Sequence, residues 1–397
     1  MPCRALSTLV AVAAALVAAR AHAGGFELVE HSPEAVATAG AQTADANAAA
    51  AAYYNPAALA FQPGVTAQAG ANLFVYRGTA TAPTGGESAS SGLYATPTVF
   101  GGARIASRYA VGIGLFEPFA ASIAYPAGWA GRFAGESLEL HALAVNPSVA
   151  MRFVPWLSIG FGVDIVPTTL SYRHATMLGG GGEGEFAAEL RGTGVGGNAS
   201  ILVRAVPRWL DLAFAYRSAI DLDLSSATLK ATLPLPHALT FAAASHPLAG
   251  LTITTDVRVV LWQDVRALVV KMPDGTVADT TTLDYSDSAG VRVGAAYRFW
   301  RDAAGEPRLA ARVGAGWEQG PTAAAATSPL LPDGDRALVG AGVGARFRWF
   351  TVDAGYLAAI ATELFGATGS FAARYRSVTH TVSVALTLRL PNLLARD

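Results

Sequence analysis

Two groups of residues have the types and spacing that chemistry requires. Gly192, Gly194 and Gly197 form the string G-x-G-x-x-G, which in dinucleotide-binding proteins joins a strand to a helix and receives a pyrophosphate. Strand-like runs flank this string and no helix follows, so we interpret the glycines as part of a flexible strand. His141 and Ser148 resemble half of a hydrolase site. On one strand, however, they would lie on opposite faces and about 23 Å apart.

Other catalytic and metal-binding patterns are missing from the sequence. It contains no G-x-S-x-G, H-E-x-x-H or Walker string, and its seven histidines have no ligand spacing. The single cysteine, Cys3, lies within a stretch that we expect to be removed. We therefore expect no enzyme activity, no metal and no cofactor.

The N-terminus has the features of a secretory signal peptide over residues 1–23. Arg4 precedes an apolar run that ends at Ala19, and Ala21-His22-Ala23 follows. The run is about 15 residues long, whereas a membrane-spanning helix needs roughly 20. We expect cleavage after Ala23; the alternative is an uncleaved anchor helix.

The composition argues against both a soluble enzyme and a helical membrane protein. Charged residues make up 14% of the chain and apolar residues 52%, whereas soluble domains carry about 25% charged residues. No apolar run of 18 or more residues follows the signal, so helical spans are not expected. An apolar exterior without apolar runs is typical of alternating strands in a bilayer. The net charge of -1 gives no reason to expect a nucleic-acid partner.

The elements that must position any site are strands. In residues 377–390, Val378 and every second residue after it form one face, and Ser377 begins a more polar face. We count fourteen such segments between residues 65 and 390. The connections alternate between short turns and longer stretches rich in Gly, Pro and Ser, such as 78–93 and 320–335. The fold class predicted is all-β, a 14-stranded antiparallel transmembrane β-barrel; a soluble sandwich or propeller is the alternative.

Residues 24–64 differ from the strands that follow. They are rich in alanine and lack a period of two. Because a 14-stranded barrel is too wide for its own side chains to fill, we expect this segment to fold inside it as a hatch, or plug. The alternative is an exposed periplasmic extension. Residues 391–397 form a C-terminal tail after Leu390, where barrels of this type usually end in an aromatic residue read by the assembly machinery.

Short motifs along nearly the whole chain resemble the FadL-type outer-membrane transport family, whose members transport long-chain fatty acids or aromatic hydrocarbons. The motifs are Gly25-Phe26-Glu27-Leu28, Tyr54-Asn55-Pro56-Ala57, Val111-Gly112-Ile113-Gly114 with Pro118-Phe119, Trp129-Ala130-Gly131-Arg132-Phe133, Asn146-Pro147-Ser148-Val149-Ala150, Tyr216-Arg217-Ser218, Leu235-Pro236, Trp262-Gln263-Asp264 and Leu331-Pro332-Asp333-Gly334-Asp335-Arg336. Each is weak alone, but their common order is specific.

The resemblance implies a plugged 14-stranded barrel that passes hydrophobic molecules without coupled energy. Ligand would bind among the outer loops, move to a site beside the N-terminus and leave sideways through a gap at the third strand. The residues expected to bind or gate ligand are Phe26, Asn55, Pro56, Ala57, Phe119, Trp129, Arg132 and Phe133. The strand-3 kink and lateral exit are assigned to Gly112, Gly114 and Pro118, because glycine weakens a strand and proline removes a donor. Tight packing of the glycines against the hatch, and a simple strand end at Pro118, are the alternatives.

Arginines on the polar strand faces have two possible roles. They include Arg152, Arg217, Arg258 and Arg292. One or two of them could bind a fatty-acid carboxylate in a bidentate pair. The alternative, which we favour, is pairing with acidic residues such as Asp164, Asp211 or Asp256 to tie the hatch to the barrel.

The expected setting is the outer membrane of a Gram-negative bacterium, with both termini in the periplasm. The expected partners are a hydrophobic small molecule, outer-membrane lipid and lipopolysaccharide, and the barrel-assembly machinery, with the barrel itself a monomer. Two other functions stay open at this point. One is a general diffusion porin for small hydrophilic solutes, and the other is a structural or adhesion barrel.

Overall fold

The computed structural model describes residues 25–45, 48–302, 304–322, 326–368 and 371–390. The predicted signal peptide at 1–23 and the tail at 391–397 lie outside these residues. Nineteen strand segments form one sheet, and five pairs of them continue each other across short interruptions, which leaves fourteen strands. They are β1 (Val65–Thr81), β2 (Glu87–Arg104), β3 (Tyr109–Ala124), β4 (Ser137–Val154), β5 (Leu157–Met177), β6 (Glu183–Val206), β7 (Leu210–Arg217 and Ile220–Ser225), β8 (Lys230–Leu235 and His237–Leu248), β9 (Leu251–Leu261 and Ala267–Lys271), β10 (Val277–Thr282 and Ser288–Arg301), β11 (Pro307–Glu318), β12 (Arg336–Arg346), β13 (Phe350–Ala361 and Leu364–Thr368) and β14 (Phe371–Leu390).

Pairing between the first and last strands closes the sheet into a barrel. β1 runs antiparallel to β14 from the Val65–Leu390 pair to the Thr81–Arg374 pair, and each other strand pairs with its sequence neighbours. A closed sheet leaves no exposed edge, as a membrane-spanning sheet requires. The predicted 14-stranded antiparallel barrel is therefore confirmed.

The two rims of the barrel differ in the length of their connections. One rim, the short-turn rim, has tight turns such as those at 155–156 and 249–250, and the other, the loop rim, carries the long loops 125–136 and 319–335. The prediction of a long loop over 78–93 was wrong. Strands β1 and β2 continue through it to Thr81 and Glu87, because small and hydroxylated residues extend the hydrogen-bonded ladder beyond the apolar belt.

Side chains alternate between the interior and an apolar exterior along the strands. On β14, Val382, Val384, Leu386 and Leu388 face outward and are exposed, while the intervening residues are buried. Four tryptophans stand exposed at the short-turn rim, as in the aromatic girdle of a membrane barrel. They are Trp156, Trp209, Trp300 and Trp349. No helix in the described part of the chain is long and apolar enough to cross a bilayer.

Among the described residues, three short helices precede the barrel. They are α1 (Pro33–Ala37), α2 (Ala51–Tyr54) and the 3-10 helix η1 (Pro56–Phe61). Ser32 begins α1 because its Oγ accepts from the N–H of Ala35 at 3.2 Å, and Pro33 already has a helical φ. The described part of this N-terminal segment, residues 25–45 and 48–62, is almost wholly buried.

The N-terminal segment lies inside the ring of strands. α1 packs on β11, β12, β13 and β14, whereas η1 packs on β2 to β6 on the other side. The approach is close enough to require glycine on the barrel wall. A Cβ at Gly160 would lie 2.3 Å from the Ala57 nitrogen, and one at Gly314 would lie 2.3 Å from the Thr38 carbonyl carbon. These two glycines let the wall contact the segment's backbone directly.

Candidate functional site

One extra residue in β3 interrupts its pairing with both neighbouring strands. β3 pairs with β2 through Leu115 and resumes only at Ala124, where the register is shifted by one residue. Its register with β4 shifts by one between Phe116 and Phe119 as well. This is a β-bulge, and the five residues 116–120 are all buried rather than alternating. Between β2 and β3 it leaves a gap in the barrel wall over residues 92–98 and 116–123.

The N-terminus pairs with β3 where β2 does not. Glu27 and Phe119 form an antiparallel bridge. The N–H of Leu28 donates to the carbonyl of Pro118 at 2.8 Å, and the N–H of Ala120 donates to the carbonyl of Phe26 at 3.0 Å. Backbone groups that the gap would leave unsatisfied therefore have partners in the N-terminal segment.

Phe26 sits in an aromatic cluster at this junction. Its ring centroid lies 5.1 Å from that of Trp262 and 5.8 Å from that of Phe119, and all three side chains are buried. Gly25 has a φ of +80° and touches Trp262, because a Cβ there would lie 2.5 Å from the indole. The contact between Gly25 and Trp262 thus sets the direction in which the Phe26 side chain projects.

A buried ion pair fixes the same stretch to the opposite wall. The Nε of Arg258 on β9 donates to Glu27 at 3.1 Å, and its terminal nitrogens bond to Glu27 and to Thr240, the latter at 2.9 Å. Glu27 and Arg258 are both buried. Such a pair is stable only while both partners are present, since either charge alone would be buried without compensation.

Beside Phe26 lies a cavity with about 990 Å³ of empty space, part of it open to solvent, which we call the inner cavity. Its lining includes the N-terminal residues 25–30, Tyr94 on β2, residues 120–123 on β3 and the loop residues 330–334, and the rest of the lining comes from β1 and from β11 to β14. Tyr94 and residues 120–123 flank the gap in the wall. The inner cavity therefore extends to the place where β2 and β3 separate.

A second space, the apolar pocket, adjoins the inner cavity on the side of the loop rim. It holds about 450 Å³ of empty space, and leucine side chains dominate its lining. The lining residues are Phe26, Leu138, Leu140, Leu170, Tyr172, Leu233, Leu268, Thr281, Leu283, Ser328, Leu330 and Leu331. Phe26, Leu330 and Leu331 line both spaces. These three side chains form the partition between them.

The inner cavity presents carboxylates but no free cation. Its ionisable lining residues are Glu27, Glu30, Glu318, Asp333 and Arg336. The Nε of Arg336 donates to Glu318 at 2.7 Å, and the buried side chain of Arg292 on β10 also pairs with Glu318. Desolvation raises the pKa of the Asp333 carboxyl. Among the described residues, the single guanidinium that lines the cavity thus already has a carboxylate partner, which it shares with Arg292.

Asn55, Pro56 and Ala57 lie away from the inner cavity. Pro56 and Ala57 contact the barrel wall at Gly160, whereas Asn55 bonds within the N-terminal segment. The Nδ2 of Asn55 donates to the carbonyl of Thr43 at 2.9 Å. Ala57 accepts from Ser158 at 2.8 Å and donates to Ser200 at 3.0 Å. Pro56 and Ala57 therefore anchor the segment to the wall, and Asn55 stabilises the segment itself.

Trp129, Arg132 and Phe133 line neither the inner cavity nor the apolar pocket. Trp129 stacks on Tyr125 at 3.8 Å between ring centroids and is buried in the loop after β3. Arg132 pairs with Glu183 and lies over the ring of Phe133, which is exposed. The three residues lie in a loop whose Gly135 contacts Leu330, a residue of the apolar pocket.

The residues assigned to the kink lie in two different parts of β3, one regularly paired and the other bulged. Gly112 and Gly114 pair in regular register with both β2 and β4, and a Cβ on Gly112 would lie 2.6 Å from Leu59 of η1. Pro118 lies within the bulge, and Phe119 follows it. Of the three residues assigned to the kink, only Pro118 adjoins the gap, and its neighbour Phe119 adjoins it too.

The arginines on the polar faces have polar partners. Arg217 pairs with Asp164 and donates to the carbonyl of Tyr53 at 3.2 Å, so it joins the wall to the N-terminal segment. Arg292 pairs with Glu318, and Arg152 donates to the carbonyl of Ser107 at 2.6 Å. In the described residues no group of three or more His, Cys, Asp or Glu is placed to hold a metal ion.

Sequence reasoning missed three residues of the partition and its surroundings. Trp262 was named above only as part of a short motif, yet it is fully buried against Phe26. Leu330 and Leu331 belong to a loop whose side chains have no periodic pattern. For Trp262 the available signal was the polar break that follows it, residues 263–266, where β9 is interrupted.

Comparison with known proteins places this geometry in context. A sequence model of the family described as outer membrane protein transport protein (OMPP1/FadL/TodX) matches residues 14–385. No curated protein matches the sequence significantly.

Solved structures share the fold at low sequence identity. A Pseudomonas aeruginosa FadL homologue aligns with a TM-score of 0.83 and 19% identity, over 92% of this chain and 100% of that chain. The Pseudomonas putida toluene transporter TodX gives 0.75 and 17%, over 92% and 100%. The Ralstonia pickettii toluene transporter TbuX gives 0.71 and 18%, over 91% and 99%. At these identities the similarity establishes the fold.

Proposed function

The chain belongs to the FadL/TodX family of outer-membrane transport proteins, and on that premise we propose that it carries uncharged hydrophobic molecules into the cell by passive diffusion. The observation that carries the proposal is the junction at Phe26, where an apolar pocket, an inner cavity and a gap in the wall meet. The short-turn rim and both termini face the periplasm in this proposal, and the loops face outward.

Residues 24–64 act as the hatch. The described part of this segment, residues 25–45 and 48–62, is buried inside the barrel and contacts opposite walls. A fourteen-stranded barrel without such filling would contain a water-filled channel. The hatch thus blocks ions and polar solutes while leaving the inner cavity beside it.

The route begins in the apolar pocket beneath the loops. A ligand bound there is separated from the inner cavity by Phe26, Leu330 and Leu331. Movement of the Phe26 ring connects the two spaces. From the inner cavity the ligand leaves between Tyr94 and residues 120–123, sideways through the gap in the wall. A lateral exit delivers an apolar molecule to the bilayer core without crossing the polar lipopolysaccharide layer.

The charges of the inner cavity favour a ligand without a carboxylate. An ionised fatty acid would have to leave water and enter a space that also holds the carboxylate of Glu30. The arginines nearest to it, Arg258 and Arg336, are already bonded to Glu27 and Glu318. Burial of an unpaired charge is expensive. A neutral hydrocarbon meets no such cost, as the two toluene transporters of the same fold also suggest.

Uptake by outer-membrane vesicles tests the proposal. Vesicles that contain the protein are expected to take up a radiolabelled monoaromatic hydrocarbon at least tenfold faster than a long-chain fatty acid at pH 8. Ala359→Phe, which places a ring in the inner cavity, should abolish the difference from empty vesicles. Ala358→Phe on the outer face of the same strand is the matched control. Equal or faster uptake of the fatty acid would contradict the neutral-ligand proposal.

A diffusion porin remains the second candidate, and single-channel conductance distinguishes it. The buried hatch argues for a closed barrel, so the full-length protein should show near-zero ion conductance in a planar bilayer. Steady conductance in the full-length protein would favour the porin.

A further inference from the structure

We propose that three arginines on the outer surface of β1 and β14 form a binding site for the phosphate groups of lipid A, the membrane anchor of lipopolysaccharide. Arg77 on β1 and Arg374 and Arg376 on β14 all face outward and are exposed. The inference rests on the outer-membrane location of the family and is independent of which ligand the barrel transports.

The height of these arginines matches the upper boundary of the bilayer. Below them on β14 the outward positions from Val378 to Leu388 are apolar except for His380. With strands tilted by about 40°, ten residues rise about 25 Å along the barrel axis, which is the height of an apolar band. Arg376 is the next outward residue above this band. On β1 the apolar series ends at Val75, and Arg77 follows.

The three guanidinium groups are neighbours across one strand pair. Arg77 lies opposite Val378, and Arg376 lies opposite Thr79, so Arg77 and Arg376 are diagonal neighbours. Arg374 is the next outward residue after Arg376 on the same strand. Side chains of this length reach one another across such diagonals.

The cluster carries more positive than negative charge. Glu363 accepts from Arg376 at 2.7 Å and from Arg374 at 3.3 Å, so one carboxylate serves two guanidinium groups. Arg77 has no carboxylate partner among the described residues. The next carboxylate, that of Glu87, faces outward on β2, two strands from Arg374 and thus about 10 Å away.

This surplus suits a phosphate at the lipid headgroup level. Guanidinium groups bind phosphate through two parallel hydrogen bonds, and they keep their charge at any physiological pH. The lipid of the outer leaflet that carries phosphates at this depth is lipid A. Its acyl chains would then lie along the apolar positions of β14 and β1, below the arginines.

Native mass spectrometry of the detergent-solubilised full-length protein tests the site. The probes are bis-phosphorylated lipid A, lipid A from which both phosphates have been removed, and phosphatidylglycerol. We expect an adduct with bis-phosphorylated lipid A that withstands collisional activation. The triple variant R77Q/R374Q/R376Q should retain at least tenfold less of the bis-phosphorylated lipid A adduct. The amount of dephosphorylated lipid A retained should be the same for the variant and the unmodified protein.

A matched control removes three exposed arginines from the short-turn rim. The variant R208Q/R301Q/R348Q loses the same charge and should retain lipid A as the unmodified protein does. Equal retention by R77Q/R374Q/R376Q and the unmodified protein would overturn the proposal. Equal retention of phosphatidylglycerol would overturn it too, since it would indicate a general attraction for anionic lipid. The comparison of phosphorylated and dephosphorylated lipid needs no variant and is unaffected by folding.

Discussion

Glu27 and Phe119 form a β-bridge between the start of the N-terminal segment and the bulged part of the third strand. The bridge gives the backbone of β3 a partner where β2 does not pair with it. The same two residues adjoin Phe26, which separates the apolar pocket from the inner cavity. The residue placed to contact ligand, Phe26, and the residue that pairs with β3 at the gap, Glu27, are therefore neighbours in the chain.

Deletion of Pro118 is predicted to close the gap. The registers of β3 with β2 and with β4 each shift by one residue around this position. Removing one residue makes both registers continuous, so β2 and β3 can pair along their full length. We expect the barrel to assemble and uptake of hydrophobic compounds to fall at least tenfold. Vesicle uptake measures the effect, and heat-modifiable migration on a gel checks assembly.

A substitution that keeps the chain length is the control for this deletion. Pro118→Ala restores a backbone donor but leaves the extra residue in place, so the register shift and the uptake should persist. Uptake that is unchanged in the deletion variant would show that ligand leaves by another path.

Arg258→Met is predicted to release the N-terminus from the barrel wall. It leaves the carboxylate of Glu27 buried without its partner, which typically costs about 3–5 kcal/mol. Hydrogen exchange of residues 25–31 should accelerate by two orders of magnitude or more, while exchange in β14 stays unchanged. The double variant E27Q/R258M removes both charges and should recover much of the protection. If the single variant exchanged as slowly as the unmodified protein, the ion pair would not hold this segment.

The barrel could be predicted from the sequence, but the junction at Phe26 could not. Alternation with a period of two is a local property, and it gave the number of strands and the rim of short turns. The position of the kink depends on register between strands, so the expectation placed it partly at Gly112, which is regularly paired. The contact of Glu27 with Arg258 joins residues 231 positions apart, and no pattern in one sequence encodes such a pair.

Phe26→Ala is predicted to join the apolar pocket to the inner cavity. The partition loses its only aromatic side chain, leaving Leu330 and Leu331. We expect faster hydrocarbon uptake at high concentration and weaker binding, by about tenfold, because the ring's contacts with ligand are lost. Gly25→Ala should act differently, since its Cβ would collide with Trp262 and displace Phe26 without removing it. Identical uptake by Phe26→Ala and the unmodified protein would exclude a gating role for the ring.

Removal of residues 24–64 is predicted to open a channel for ions. The segment contacts walls on both sides of the barrel, through α1 and through η1. Without it, no other part of the described chain fills the interior to a comparable extent, so planar-bilayer conductance should rise from near zero to that of a water-filled pore. Arg217→Met, which loosens one tie between wall and segment, should give only brief openings. Conductance that stays near zero after the deletion would contradict the hatch.

Acid is predicted to loosen the N-terminal segment through His31. The distance between the centroids of its imidazole and of the Tyr53 ring is 4.1 Å. Within the described residues, neither ring nitrogen makes a hydrogen bond of ordinary geometry. Burial, reinforced by the charge of Arg217, lowers the pKa of His31 to about 3. The folded segment therefore keeps the ring neutral, whereas a released segment binds a proton below pH 6.5. Stability is full above that value and decreases as the pH falls through it.

Between pH 7.5 and pH 5 this difference amounts to about 2 kcal/mol in the free energy of releasing the segment. Hydrogen exchange of residues 29–37, corrected for the intrinsic effect of pH, should reveal the loosening as a roughly thirtyfold loss of protection. His31→Phe preserves an aromatic ring that cannot be protonated, so its protection should no longer depend on pH in this range. His380→Phe on the outer wall should retain the dependence. If His31→Phe lost protection at pH 5 as the unmodified protein does, another group would be responsible.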